Sequence, residues 1–200
     1  MGAGPVEIIN AALAEIGAPA ITDLSDKTPE ARAASRNYPL VRDAVLRLHP
    51  WNCAQKRDTL TSPSVTAPAW GFANAYDLPA DFIRLIALEG DPFQRFRVEG
   101  LQVLSDSSEV NILYVYRLED VSKMDTLLRQ AIATRLAAQI AMTLKGSSDQ
   151  VVRLFQLADA KLAEAQGIDS LEGPVEIHQP GSWLRARETF SDPFRRIEPL

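Results

Sequence analysis

The apolar residues of this chain change their spacing twice, and that change constrains the fold more than any single motif. From Pro5 to Leu48 they recur every three or four residues, as one face of a helix does; from Thr59 to Leu118 the texture turns to alternation, prolines and aromatics; from Ser122 to Gln166 the helical spacing returns. A chain written this way is expected to fold as an α+β protein. The expectation is a four-helix bundle carrying a small inserted antiparallel sheet over about residues 59–118.

The punctuation supports four helices. Pro5 suits a first helical position, Val6, Ile9, Leu13 and Ile16 follow it, and Gly17 and Pro19 stop the pattern, giving a helix over about 5–16. Thr28 reads as a cap and Pro29 as the opening of a second helix over about 28–49, with Ala34, Tyr38, Val41, Val45 and Leu48 as its stripe. Pro39 removes a backbone donor inside it, so a kink near Asn37 is expected, or a helix that begins only after that proline. In the third helix, over about 122–145, Ser122 is the expected cap and Asp125 favours the dipole. Its ridge is Leu128, Ile132, Leu136, Ile140 and Leu144, flanked by Ala131, Ala133, Ala137, Ala138 and Ala141, small enough for another helix to approach closely. Val151, Leu154, Phe155, Ala158 and Leu162 give a fourth helix over about 148–166, stopped at Gly167. Burying each large side chain on these stripes contributes about 1.5–3 kcal/mol before chain entropy, a sufficient core without a cofactor.

In the middle region, Ile83 to Leu88, Phe93 to Val98, Leu101 to Leu104 and Val110 to Arg117 read as strands, with Glu99-Gly100 as a hairpin turn and Ile112, Tyr114 and Tyr116 on one face of the last. Residues 168–200 lose the helical period and read as an extended C-terminal arm following one domain of residues 1–167. The arm keeps Trp183, Leu184, Phe190, Phe194 and Ile197 among Arg185, Arg187, Arg195 and Arg196. Solvated tails are poor in aromatics, and Trp and Arg are typical interface anchors, so the arm is expected to lie in grooves of a partner or of its own subunit.

Composition removes several functions. With 26 acidic against 21 basic side chains the formal charge is −5, which argues against a main task of gripping phosphate backbones. The longest apolar pattern, Ala131 to Leu144, contains Arg135 and Gln139 and is too short to span a bilayer. The N-terminus lacks a basic region followed by an apolar stretch, so synthesis in the cytosol without a secretory signal is expected. A single cysteine, Cys53, allows no intrachain disulfide framework, and with His49 and His178 it cannot make an ordinary zinc site without carboxylates; no metal or cofactor is assigned.

Candidate chemistry is sparse. His49 and Cys53 stand four apart, as a base and a thiol on one helical face would, but Pro50 interrupts that geometry, and a buried Cys more often behaves as a small hydrophobe. Asp77 and Asp81 flank Leu78-Pro79 and could be drawn as an acid–base pair; a turn-capping role for Asp81 is expected instead. Arg95 and Arg97, with Arg84 nearby, are expected to face a partner or solvent. Gly2-x-Gly4 has no preceding strand and no third glycine, so it is no dinucleotide fingerprint.

Two segments carry a resemblance. Leu48-His49-Pro50-Trp51-Asn52-Cys53-Ala54 closes a helix, and Trp70 to Leu85, WGFANAYDLPADFIRL, runs from aromatics through Leu78-Pro79-x-Asp81 into an apolar strand. In order and spacing they resemble the head-to-tail adaptor proteins of short-tailed bacteriophages, the tail tubular protein A family. The motif-level similarity covers Leu48 to Leu85, with Trp51, Trp70, Tyr76, Leu78, Pro79 and Asp81 as its structural positions; the element order extends it from Pro5 to Gln166. The resemblance implies a non-enzymatic virion protein in the phage neck, forming a ring, taken as a dodecamer, between the portal protein and the tail nozzle protein. DNA would pass through the ring without specific binding. It further implies that the arm, through Trp183, Arg185, Arg187, Phe190, Phe194, Arg195 and Arg196, reaches the portal or a neighbouring subunit. The hairpin, through Phe93, Arg95 and Arg97, would face the next tail component. The competing readings are a small cytosolic hydrolase or transferase using Cys53, or His49 with Asp43, and a monomeric helical interaction module of cellular origin.

Overall fold

The structure is a computed structural model that describes residues 4–61, 63–64, 68–89, 95–145 and 148–172. Its helices are α1 (Pro5–Glu15), α2 (Pro29–Leu48), α3 (Thr126–Lys145) and α4 (Ser148–Glu172); between α2 and α3 lie β1 (Gln55–Leu60), β2 (Asn74–Asp77), β3 (Phe82–Glu89), β4 (Phe96–Glu99), β5 (Gln102–Ser105) and β6 (Val110–Tyr116). The strands form two three-stranded antiparallel sheets, β1-β6-β3 and β2-β5-β4.

The expected four-helix bundle is not what forms. In such a bundle each helix flanks two neighbours round a shared core; here α3 packs against α1, α2 and α4, while α1 and α2 meet only at their margins. The sequence of α3 explains the hub. Leu128, Ile132, Leu136 and Ile140 are buried on one side, and Ala131, Ala133, Ala137, Ala138 and Ala141 are buried on the flanks, so almost the whole circumference is apolar or small. A helix of that kind has no solvent face to spare and collects neighbours on several sides.

The single small sheet of the sequence reading is likewise two sheets in separate layers. In β6, Val110, Ile112 and Tyr114 pack with Tyr76, Leu78 and Val103 between the sheets, whereas Val115 on the opposite face joins Ile83 in the helical core. The sheet containing β6 is therefore the middle layer, covered by helices on one side and by β2-β5-β4 on the other. β3 has to serve both layers, and it does so with register shifts between Phe82 and Arg84 and between Leu85 and Ala87. Each shift adds a residue on one strand. Phe82, Leu85 and Leu88 consequently pack toward the second sheet and Ile83 and Ile86 toward the helices, a three-residue spacing inside a strand.

Local expectations fare unevenly. Gly17 has φ +63 just beyond α1, and Thr28 accepts a hydrogen bond from the Ala31 N–H at 3.2 Å as the cap of α2. Gly100 has φ +59 at the first of the two loop positions joining β4 and β5, as a tight hairpin requires. α2 runs through Pro39 from Pro29, so it does not begin after that proline; the Asn37 side chain donates to the Ala33 carbonyl at 2.8 Å in the preceding turn. Ser122 does not cap α3. It lies in a short 3-10 turn, and the cap is Asp125, whose Oδ1 accepts from Leu127 N at 2.8 Å and Leu128 N at 3.3 Å. α4 passes through Gly167 and continues to Glu172, so the arm cannot start at Ile168.

Candidate interaction surface

The His49-Pro50-Trp51-Asn52 segment does more than end α2. Trp51 is fully buried, its indole N–H donating to the Val45 carbonyl at 3.0 Å, and His49 stands edge-on to it with ring centroids 4.9 Å apart. The segment then holds the end of α4 through Asp169. Its carboxylate accepts from the His49 Nε2 at 3.0 Å and from the Asn52 backbone N–H at 3.1 and 3.2 Å, while its carbonyl accepts from the Asn52 Nδ2 at 2.7 Å. Asp169 is only 8% exposed, so these partners satisfy a group that could not otherwise be buried. Sequence reasoning missed Asp169 because it ended the helix at Gly167.

The Leu78-Pro79-x-Asp81 segment is the second joint. The turn itself is made by backbone, Phe82 N–H donating to the Pro79 carbonyl at 2.9 Å. Asp81 is not its cap. One carboxylate oxygen accepts from the Tyr114 hydroxyl on β6 at 3.0 Å, the other pairs with Lys56 on β1 at 3.0 Å, and the Asp81 carbonyl accepts from Arg117 N–H at 2.7 Å. Asp81 thus crosses the whole middle sheet. Asp77 bonds instead to Gln102 Nε2 at 2.7 Å in the second sheet, so the two carboxylates serve separate structural contacts. Tyr76 is fully buried with its hydroxyl donating to the Ser107 carbonyl at 2.7 Å, and Leu78 is buried beside it. Trp70, expected as a structural position of the same segment, does not pack there: it is 85% exposed.

The catalytic alternatives are not assembled. His49 is engaged with Asp169, and Asp43 is held by Arg42 at 2.8 Å and Arg117 at 2.9 Å, so the His49–Asp43 pair does not form. Cys53 is half-buried, and that burial pushes its thiol above the usual range, with Asp169 and Asp125 adding in the same direction and backbone hydrogen bonding opposing. A thiol held protonated is a poor nucleophile. Among the described residues no group of three His, Cys, Asp or Glu is placed to hold a metal ion, and no helix is long and apolar enough to cross a membrane.

What the surface offers is apolar and cationic contact area. β4 lies at the edge of its sheet with all four residues exposed. Successive residues of β4 line two different concavities. Arg97 and Glu99, ion-paired at 3.0 Å, line a groove of about 330 Å³ on the outer face of the second sheet, together with Trp70 and Phe72. Arg95 lies near that groove, its guanidinium 5.3 Å from the Phe72 ring centre. Val98 and the Gly100-Leu101 turn instead line an open cleft of about 460 Å³ whose other wall carries Arg47, Arg84 and Arg117. Arg84 is therefore separated from Arg95 and Arg97. Phe93 and the arm residues Trp183, Arg185, Arg187, Phe190, Phe194, Arg195 and Arg196 lie outside the described residues. Compared with known proteins, the chain matches no protein-family model and no curated sequence.

Proposed function

We propose that this protein is a subunit of a head-to-tail adaptor ring, seated between the portal protein of a bacteriophage capsid and the tail nozzle protein, with DNA passing through its centre. The observation that carries this reading is the distribution of exposed large apolar side chains over two faces of different construction. Trp70, Phe96 and Leu101 are exposed around the second sheet, in the loop before β2, on the edge strand β4 and in the β4–β5 turn, and Leu157, Ile168 and Leu171 along α4. Such side chains on two separate faces suit a protein that is covered by different partners on each. The element order helix, helix, sheets, helix, helix and the positions of the two resembling segments, both at joints between layers, agree with the same reading. The formal charge of −5 suits a conduit, because a channel that neutralised many phosphates would hold its cargo.

The test is electron microscopy of the purified chain, alone and mixed with any portal protein that its genome encodes. Ring-shaped density stacked coaxially on the portal is the expected result. A chain that neither binds the portal nor forms rings overturns the reading.

A further inference from the structure

We propose that the cleft between α2, β3 and the β4–β5 turn receives the Asp23–Asp26 loop of a second copy of this chain, and that this contact joins neighbouring subunits head to tail. The inference rests on the ring reading above and specifies its subunit interface. The cleft is a cationic site on an acidic protein. The extra residue of the first β3 bulge leaves the Ile83 carbonyl to the Arg47 guanidinium, and Arg84 in return donates to the Arg47 carbonyl at the end of α2 at 3.0 Å. These bonds fix both guanidinium groups without neutralising them. Among the described residues neither has a carboxylate within ion-pair distance, while Asp43 in the same cleft is already shared between Arg42 and Arg117. The facing wall is apolar: Leu101 is 73% exposed and Val98 is 39% exposed. The cleft therefore fits a ligand with carboxylates flanking an aliphatic side chain, and a pre-fixed guanidinium loses little freedom on binding it.

The Asp23-Leu24-Ser25-Asp26 loop has that chemistry. Asp26 Oδ2 accepts from Thr22 N–H at 2.9 Å and Asp23 N–H at 3.1 Å, and Asp23 Oδ1 accepts from Ser25 N–H at 2.7 Å. Asp26 Oδ1 carries no hydrogen bond among the described residues, and Leu24 between the two carboxylates is exposed. The Ser25 hydroxyl and then its backbone N–H hold the Asp23 carboxyl below its usual range, and the Asp23 and Thr22 N–H groups with the Thr22 hydroxyl do the same for Asp26, so the loop keeps its two charges in mildly acidic solution. A copy cannot bind its own loop. The loop precedes the first turn of α2 and the cleft lies at its last, and a helix of this length separates them by roughly 25–30 Å. Two different patches at opposite ends of one helix make a heterologous contact, the kind that closes into rings.

The experiment uses the full chain with Leu24→Arg, Leu101→Glu, and the two together, each first shown by circular dichroism to fold as the wild type does. Both sites are exposed. Association is read by sedimentation velocity in about 0.05 M salt, where surface electrostatics are weakly screened. Each single variant is expected to weaken association by about tenfold or more, because each places like charges against one another. The double variant is expected to recover most of it, since every heterologous interface then sets residue 24 of one copy against residue 101 of the next with opposite charges. Loss in the singles without recovery in the double overturns the pairing of these two surfaces. Singles that assemble as well as the wild type overturn this interface and leave the ring reading standing. A wild-type chain that stays monomeric both alone and with the portal overturns the ring reading and this interface with it.

Discussion

Replacing Asp169 with alanine should melt the last turn of α4 and leave the rest of the protein folded. The substitution removes the acceptor of two charge-assisted hydrogen bonds, from His49 and from the Asn52 N–H. At roughly 1.5–3 kcal/mol each, these set a ceiling of about 3–6 kcal/mol. The ceiling is not reached, because the chain has a cheaper option than burying two unpaired donors. Ile168 is 43% exposed and Leu171 is 84% exposed, so the turn contributes little apolar burial. Helix propagation itself is close to neutral per residue, and Gly167 costs up to about 1 kcal/mol relative to alanine. Unwinding from Gly167 onward therefore lets His49 and Asn52 rehydrate, and the expected loss is about 2–3 kcal/mol. For a chain of this size that corresponds to a fall of roughly 4–12 °C in melting temperature. Urea denaturation gives the free energy, and amide exchange gives its location. Residues 168–172 should lose protection while α3 keeps its own. Unchanged protection at 168–172 would refute the reasoning, and so would loss of protection throughout α3.

The same physics predicts that a chain cut after Gly167 is less stable than one cut after Glu172 by as much as Asp169→Ala costs, measured by thermal unfolding; under the adaptor reading, both should lose docking to the portal, measured by co-sedimentation. Asp81→Ala should cost about 1–3 kcal/mol in urea denaturation by leaving the buried Tyr114 hydroxyl without its acceptor, and an Asp81→Ala protein as stable as the wild type would show that water replaces the carboxylate. Cys53, with its thiol pushed up by burial, should react slowly with iodoacetamide at neutral pH and speed up only as pH rises past the ordinary thiol range; fast alkylation near pH 7 would contradict this.

The readable parts of the fold are those fixed by local chemistry. Pro5, Thr28, Gly17 and Gly100 each constrain a dihedral or satisfy a neighbouring backbone group, so helix starts, a helix stop and a hairpin follow from the residues alone. The alternation of β6 is equally local. β1 was not legible, because Gln55-Lys56-Arg57-Asp58-Thr59-Leu60 is polar and four of its six residues are exposed; it is a strand because β6 offers it an edge. β3 was legible as a strand and not as a bulged one, since its apolar spacing of three resembles a short helical run. The end of α4 was misplaced for a related reason. Gly167 is a stop signal by propensity, and it is overruled by the buried carboxylate of Asp169, whose partners lie far back in the chain. The same long-range bond hid the principal polar contact of the His49-Pro50-Trp51 segment. Ser122 reads as the cap and Asp125 as a first-turn residue, and the 3-10 turn Val121–Lys123, which no local signal announces, moves the helix start so that Asp125 caps it instead.

The central position of α3 has a consequence for how the protein is made. The stripes of α1 and α2 find most of their cover on a helix that begins at Thr126, so on the ribosome they emerge well before it does. At about 5–20 residues per second, the interval from Leu48 to Thr126 lasts on the order of 4–16 s. Throughout it the nascent chain carries two apolar faces that α3 has yet to close, although α2 can already pack on β3 and β6. Folding of the helical layer is thus completed only when α3 packs against α1 and α2, and a nascent chain stalled before Thr126 would be a substrate for chaperones.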